Sequence, residues 1–273
     1  MKTATAFAVL VTFACAASAA TVPLKAEDGR FTMEVKINGH AQRFVVDTAA
    51  TNSFMAVEAA TALGLTVSHD PQNGDSVLVA AYESPLFRRT RETISVVPRT
   101  GMSVADGVVG MDLFAARRVT YDFAHLTFSV DASAPPPATV TVVPAALTAG
   151  TLAVVDVVID GVKAKALIDG GARRTIANPL LQKALGLAAG DPRLSQDHPV
   201  PGPSAPPAVK ATVGGIEIGA IHIDKPVVSF SALGFFKAVG LDGVPALLIG
   251  SDLQRRFKTV TIDYARHELQ LKQ

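Results

Sequence analysis

Asp47 and Asp169 are the residues in this chain best suited to chemistry, because each closes an apolar run and is followed at once by tiny residues. Small residues after an aspartate let the backbone fold tightly around the carboxylate and aim N–H groups at it. A single such aspartate is an ordinary turn or capping residue. Here there are two in equivalent places: Phe44 to Leu65, FVVDTAATNSFMAVEAATALGL, returns 122 residues later as Ala166 to Leu187, ALIDGGARRTIANPLLQKALGL, without a gap. A pseudo-two-fold axis between the copies can bring Asp47 and Asp169 face to face, and paired carboxylates are equipment for general acid–base work.

The elements that must position them repeat as well. Asn38-Gly39 and Asp160-Gly161 share that offset and lie between runs of β-type residues, a strong signal for tight hairpin turns. Phe31 to Ile37 therefore reads as a strand that returns through Gln42 to Val46 and delivers Asp47. After each aspartate the pattern turns helical: Ala56 to Leu63 stopped by Gly64, and a second helix with Asn178 as cap, Pro179 first and Gly186 closing. A further block closes each half. Val108-Val109-Gly110-Met111-Asp112-Leu113 pairs with Leu248-Ile249-Gly250-Ser251-Asp252-Leu253, and Tyr121-Asp122-Phe123-Ala124 with Ile262-Asp263-Tyr264-Ala265. Asp112 and Asp252 read as helix caps. Two copies predict a pair of lobes and not a solenoid.

Between these blocks Val77 to Tyr82, Ile94 to Val97, Val209 to Val213, Ile216 to Ile218 and Pro226 to Phe230 read as strands. Turns are expected at residues 71–74 and at Gly214-Gly215, and a proline-rich surface loop from Pro199 to Pro207. Short strands with few short helices predict a mostly β protein. Arg88, Arg89 and Arg91 form a small basic cluster that reads as a solvated face.

With 273 residues, 49% apolar and 18% charged, the chain has enough material for two ordinary cores, and disorder is excluded for most of it. Lys2, the apolar run Ala4 to Ala14 and Ala17-Ser18-Ala19 form an export signal too short to span a bilayer. Residues 1–19 are thus expected to be removed, the product being periplasmic or extracellular. Cys15, the only cysteine, lies inside that segment, so lipid attachment there is the alternative and the mature chain has no disulfide. Without Lys2 the chain carries 24 residues of each charge sign, which leaves no basic stripe for nucleic acid and no footprint for an anionic membrane. Ala134-Pro135-Pro136-Pro137-Ala138 marks the boundary between halves. The expected division is a first lobe over 20–132, a Pro-rich linker over 133–148 and a second lobe over 149–273.

The chain resembles the retropepsin and pepsin-like aspartic proteases, closest to bacterial exported members with two lobes in one chain. The resemblance is carried by Val45-Val46-Asp47-Thr48-Ala49-Ala50, Leu167-Ile168-Asp169-Gly170-Gly171-Ala172 and the apolar-apolar-Gly blocks at 108–110 and 248–250. It implies a two-lobed acid-protease fold in which each apolar-apolar-Gly segment threads an Asp-Thr/Ser-Gly loop into a ψ-shaped arrangement. It also implies Asp47 and Asp169 as the catalytic pair, supported by Thr48, Ala49, Gly170 and Gly171. Two carboxylates about 3 Å apart cannot both ionise, so they share a proton and activate water without metal, cofactor or covalent intermediate. A peptide or unfolded protein would be the substrate, bound by a monomer that acts as an internal pseudo-dimer.

The motifs are degenerate. Ala49 stands where the family has Gly, and Gly170 where it has the Thr or Ser whose hydroxyl crosses the axis. The family's substrate-covering flap is expected at Val77 to Ser84, with Tyr82 in it. A catalytically impaired peptide binder of the same fold and a non-enzymatic β adaptor remain the alternatives. The six histidines form no metal-ligand spacing, and no Gly-x-Ser-x-Gly elbow or phosphate-cradling glycine loop is present.

Overall fold

A computed structural model describes residues 20–99, 105–200 and 205–273. The export signal read at 1–19, with Cys15, lies outside the described residues, as do the centre of the 199–207 loop and residues 100–104. Hairpins form at both expected turns. Asn38 and Gly39 (φ 50° and 83°) join Arg30–Ile37 to His40–Val46, and Asp160 and Gly161 (φ 47° and 81°) join Leu152–Ile159 to Val162–Ile168. Left-handed backbone at both turn residues gives the twist that matches the strands, which is why Asn-Gly and Asp-Gly serve here.

Each returning strand ends at its aspartate and is gripped by a later piece of chain. His40–Val46 pairs in parallel with Gly107–Val109, which pairs on its other side, antiparallel, with Phe54–Ala56. In the second lobe Val162–Ile168, Ala246–Ile249 and Ile176–Ala177 repeat this arrangement. The late strand thus passes between the strand entering the aspartate loop and the strand leaving it, giving the ψ shape expected. Such threading needs glycine at the exit. A Cβ on Gly110 would lie 2.5 Å from the carbonyl carbon of Asn52, and one on Gly250 would overlap the Arg174 carbonyl and lie 3.0 Å from Ala172 O. Gly250→Ala is therefore expected to cost about 3 kcal/mol or more in urea unfolding, at the upper end of overpacking effects; a change under about 0.5 kcal/mol, the size of a neutral surface substitution, would contradict this reading.

The lobes are joined by a sheet running Ala20–Pro23, Thr127–Asp131, Arg118–Asp122, Thr259–Asp263, Glu268–Lys272, Thr141–Thr148, antiparallel throughout. The pseudo-two-fold axis passes between Arg118–Asp122 and Thr259–Asp263, where Thr120 faces Thr261 with hydroxyls 2.9 Å apart. The linker expected over 133–148 is corrected here: Thr141–Thr148 is a strand, pairing with Glu268–Lys272 and then with Leu152–Ile159. Prolines 135–137 exclude a ladder only locally, and the β-branched Thr141-Val142-Val143 beyond them re-enters a sheet. Helices are few and short. In Pro179–Ala184 the Asn178 side chain accepts from Leu181 N–H at 2.9 Å and Gly186 follows at φ 68°, both as the sequence predicts.

Candidate active site

The aspartates are held at the tips of the two ψ arrangements. Asp47 N–H donates to Val109 O (3.0 Å) and Asp169 N–H to Ile249 O (3.1 Å), after which each chain turns away from its threading strand. Thr48 is fully buried and works across the axis: its hydroxyl donates to Ile168 O (2.8 Å) and accepts from Gly170 N–H (2.9 Å). Asp112 and Asp252 brace the loops instead of capping helices, where Gly110 and Gly250 hold the cap positions. Ser53 donates to Asp112 (2.9 Å) and accepts from Gly110 N–H (3.0 Å); Thr175 donates to Asp252 (2.8 Å) and accepts from Gly250 N–H (3.2 Å). These pairs tie the exit of each aspartate loop to the end of the strand that threads it.

The two loops differ in how they wrap their carboxylates. Asp47 Oδ1 accepts from Ala49 N–H and Asp169 Oδ1 from Ala172 N–H, both at 2.8 Å, so the reach is one residue longer in the second lobe. Gly171 consequently lies against Asp47: a Cβ on it would meet Oδ1 at 2.8 Å, with Cγ and Oδ2 closer still. Its repeat partner Ala49 has room for a methyl group, which is buried with Leu152, Leu248 and Phe236.

Asp47 and Asp169 hydrogen-bond to each other and line one cleft of about 350 Å³ between the lobes, with Ile176, Val200, Leu233 and Phe235 around them. The Asp169 carboxyl is buried and held well above the usual carboxylate range, first by burial and then by the charge on Asp47, against the N–H groups of Ala172 and Gly171. Burial raises Asp47 too, but it is half-buried, and the N–H groups of Ala49 and Gly171, the Asp169 hydrogen bond and the Arg30 guanidinium favour its ionised form. The two carboxyls therefore titrate together as a pair, and these surroundings favour the proton on Asp169 and the charge on Asp47.

Arg30 was not singled out by sequence reasoning. It is 9% exposed and donates from Nε to Gly171 O at 2.9 Å. The repeat offset pairs it with Leu152, which is buried beside Ala49, so one aspartate loop faces a cation and the other an apolar cluster. An arginine aligned with a leucine at an inward position is the signal that could have found it. The Asp28-Gly29 turn just before it docks on the second lobe, through Arg173 to Asp28 (3.2 Å) and the Ser251 hydroxyl to Gly29 O.

Tyr82 does not serve as a flap. It lies on Gly74–Ser84, 1% exposed, against Phe87 (ring centroids 4.7 Å) and Phe44 (5.9 Å), inside the first lobe and off the cleft lining. Alternation from Val77 and Val79, both buried, would turn Tyr82 outward. The alternation breaks at Ala80 and Ala81, whose N–H groups both donate to Asn38 Oδ1 (2.8 and 3.0 Å), and Tyr82 is swung into the core. The basic cluster sits on the paired strand Phe87–Val97, exposed, with Arg88 to Glu83 at 3.3 Å.

Comparison with known proteins agrees with this architecture. Residues 33–115 match the sequence model of the family described as "gag-polyprotein putative aspartyl protease". No curated protein matches the chain. Among solved structures, the crystal structure of aspartic proteinase from Irpex lacteus is similar with a TM-score of 0.59 and 12% identity, over 93% of this chain and 97% of that one. The fold is the mostly β, two-lobed pepsin-like fold, and its first lobe carries the retropepsin-like sequence match. Among the described residues no helix is long and apolar enough to cross a membrane.

Proposed function

We propose that the protein is an aspartic endopeptidase in which Asp47 and Asp169 are the catalytic pair. The observation that carries this reading is the meeting of two aspartates from equivalent ψ loops in an interlobe cleft, with burial raising both carboxyls. Asp47 takes a proton from a water molecule whose oxygen attacks the peptide carbonyl carbon, while Asp169 gives its proton to the carbonyl oxygen. The resulting diol collapses when Asp47 passes its proton to the amide nitrogen and one diol hydroxyl returns a proton to Asp169. The C–N bond breaks, and an acid and an amine leave. An extended peptide or unfolded protein fits such a cleft by strand-type contacts. The leader-like residues 1–19 support action after export, in the periplasm or outside the cell.

The test is digestion of a denatured protein across pH. Cleavage is expected between about pH 3 and 6, where a coupled pair holds one proton, with loss at higher pH as the pair gives that proton up. A statine-type transition-state mimic should inhibit it. Binding of that mimic with no cleavage at any pH would leave a peptide-binding protein and remove the enzyme; neither binding nor cleavage would leave only the scaffold.

A further inference from the structure

Thr48 satisfies only one of two equivalent needs. Val46 and Ile168 occupy the same place in the repeat, each just before an aspartate. The Ile168 carbonyl receives the Thr48 hydroxyl. By symmetry residue 170 should supply Val46 O, but glycine has no side chain to do so. Val46 O instead accepts from the Tyr121 hydroxyl at 2.8 Å. A Cβ built on Gly170 would meet Tyr121 Cζ at 2.9 Å, with the hydroxyl closer still, so the phenol occupies the space that a threonine or serine at 170 would fill.

Tyr121 reaches this point from the interlobe sheet, one residue beyond the Thr120–Thr261 contact on the axis. Its counterpart one residue beyond Thr261 is Ile262, which has no hydroxyl. Each half of the axis therefore has one hydroxyl: threonine in the loop with isoleucine in the sheet, or glycine in the loop with tyrosine in the sheet. The Tyr121 ring is 2% exposed and fixed by Phe123 (stacked, 5.6 Å) and Phe128 (4.9 Å). Burial, and after it the charges of Asp47, Tyr264 and Asp169, hold its ionisation well above the ordinary tyrosine value, so it stays a donor wherever the pair works.

We propose that Tyr121 is a positioning residue for the aspartate pair, and that Tyr121 and Gly170 together replace the hydroxyl that residue 170 lacks. Its hydroxyl fixes the Val46 carbonyl, the Val46–Asp47 peptide follows, and with it the placement of the Asp47 carboxylate. Without it a buried carbonyl at the lobe junction is unpaired, which proteins avoid. The catalytic half of this proposal rests on the endopeptidase reading; the pairing of the two residues does not.

In the full-length protein, Tyr121→Phe is expected to lower kcat by about ten- to a hundredfold, the effect of a displacement below or near 1 Å, with KM within about twofold. Gly170→Thr alone should also lower kcat, because its side chain collides with the phenol. On a Tyr121→Leu background, which removes the colliding atoms, Gly170→Thr should restore kcat at least about tenfold by supplying a hydroxyl to Val46 O. Native kcat in Tyr121→Phe, or no rescue in the double variant, overturns the positioning role. Thermal unfolding reads the pair independently of activity: Gly170→Thr should lower the midpoint in the native background and raise it on Tyr121→Leu. Additive midpoints overturn the pairing. A protein with no peptidase activity that still shows the sign reversal keeps the pairing and removes only the endopeptidase reading.

Discussion

Asp47→Asn is expected to give a folded protein that cleaves peptide bonds at pH 4 about 10²- to 10⁴-fold more slowly, the usual worth of a positioned general base. Asn keeps the oxygen that accepts from Ala49 N–H but cannot take a proton from water. Asp169→Asn should lose activity to a similar extent, since the amide cannot deliver a proton to the carbonyl oxygen. The two chemical roles are separated by stability. A carboxyl held above its usual range in the folded state binds protons more tightly there than in the unfolded chain. It therefore adds stability that is complete below the ordinary carboxylate range and disappears as pH rises through the folded-state value. Asp169, which is held well above that range by burial and by Asp47, imposes this loss at neutral pH. Asp169→Asn should accordingly unfold at a higher temperature than the native protein at pH 7 and at nearly the same temperature at pH 3. A variant less stable than native at pH 7 would mean that Asp169 is not the proton-bearing member. Paired denaturation scans at the two pH values, run beside the activity assay, decide it.

Gly171→Ala should be the most damaging conservative change in either loop. The new methyl group would occupy the space of the Asp47 carboxylate, and the carboxylate is the movable party because the Gly171 carbonyl is held by Arg30 at 2.9 Å. A displacement of about 1 Å at a reacting group costs on the order of a hundredfold in rate. The expected result is a fall in kcat of about that size with KM little changed, since the walls of the cleft do not move. A Gly171→Ala protein with native kcat would show that the carboxylate relaxes without penalty, and the tight fit at the centre of the site would carry no catalytic weight. The equivalent position in the first lobe already holds alanine. One extra residue in the wrap around Asp169 brings Gly171 onto Asp47, whereas Ala49 faces the cluster of Leu152, Leu248 and Phe236.

This asymmetry is the physical content of the degenerate motifs. Ala49 departs from glycine where a methyl group finds an apolar seat, and Gly170 departs from threonine where a phenol supplies the hydroxyl. Arg30 opposite Leu152 extends the same logic to charge. Its guanidinium interacts with both carboxyls and favours a negative charge on the pair. The substitutions in the two halves compensate across the axis, so a motif scored within one half records a defect where the whole site has a pair.

Much of the molecule could be read from the chain because its information is local or repeated. Asn38-Gly39 and Asp160-Gly161 encode hairpins by their own backbone preferences, Asn178-Pro179 encodes a helix start, and the repeat at 122 residues places Asp47 on Asp169 without reference to any contact. The apolar-apolar-Gly blocks were likewise legible, since glycine at 110 and 250 is demanded by close backbone approach. Only the tertiary structure decided the rest. A break in alternation at Ala80 and Ala81, made by the distant Asn38 side chain, buried Tyr82 and removed it from the cleft. β-branched residues after three prolines made Thr141–Thr148 a strand of the shared sheet and not a linker. Tyr121 and Arg30 reach the second lobe's loop through space, at Gly170 and Gly171, and no local spacing records such a contact. The sequence by itself determined two lobes and two facing acids, because periodicity and turn chemistry act over a few residues; which acid keeps the proton, and what holds them together, depended on side chains that meet only after the lobes dock.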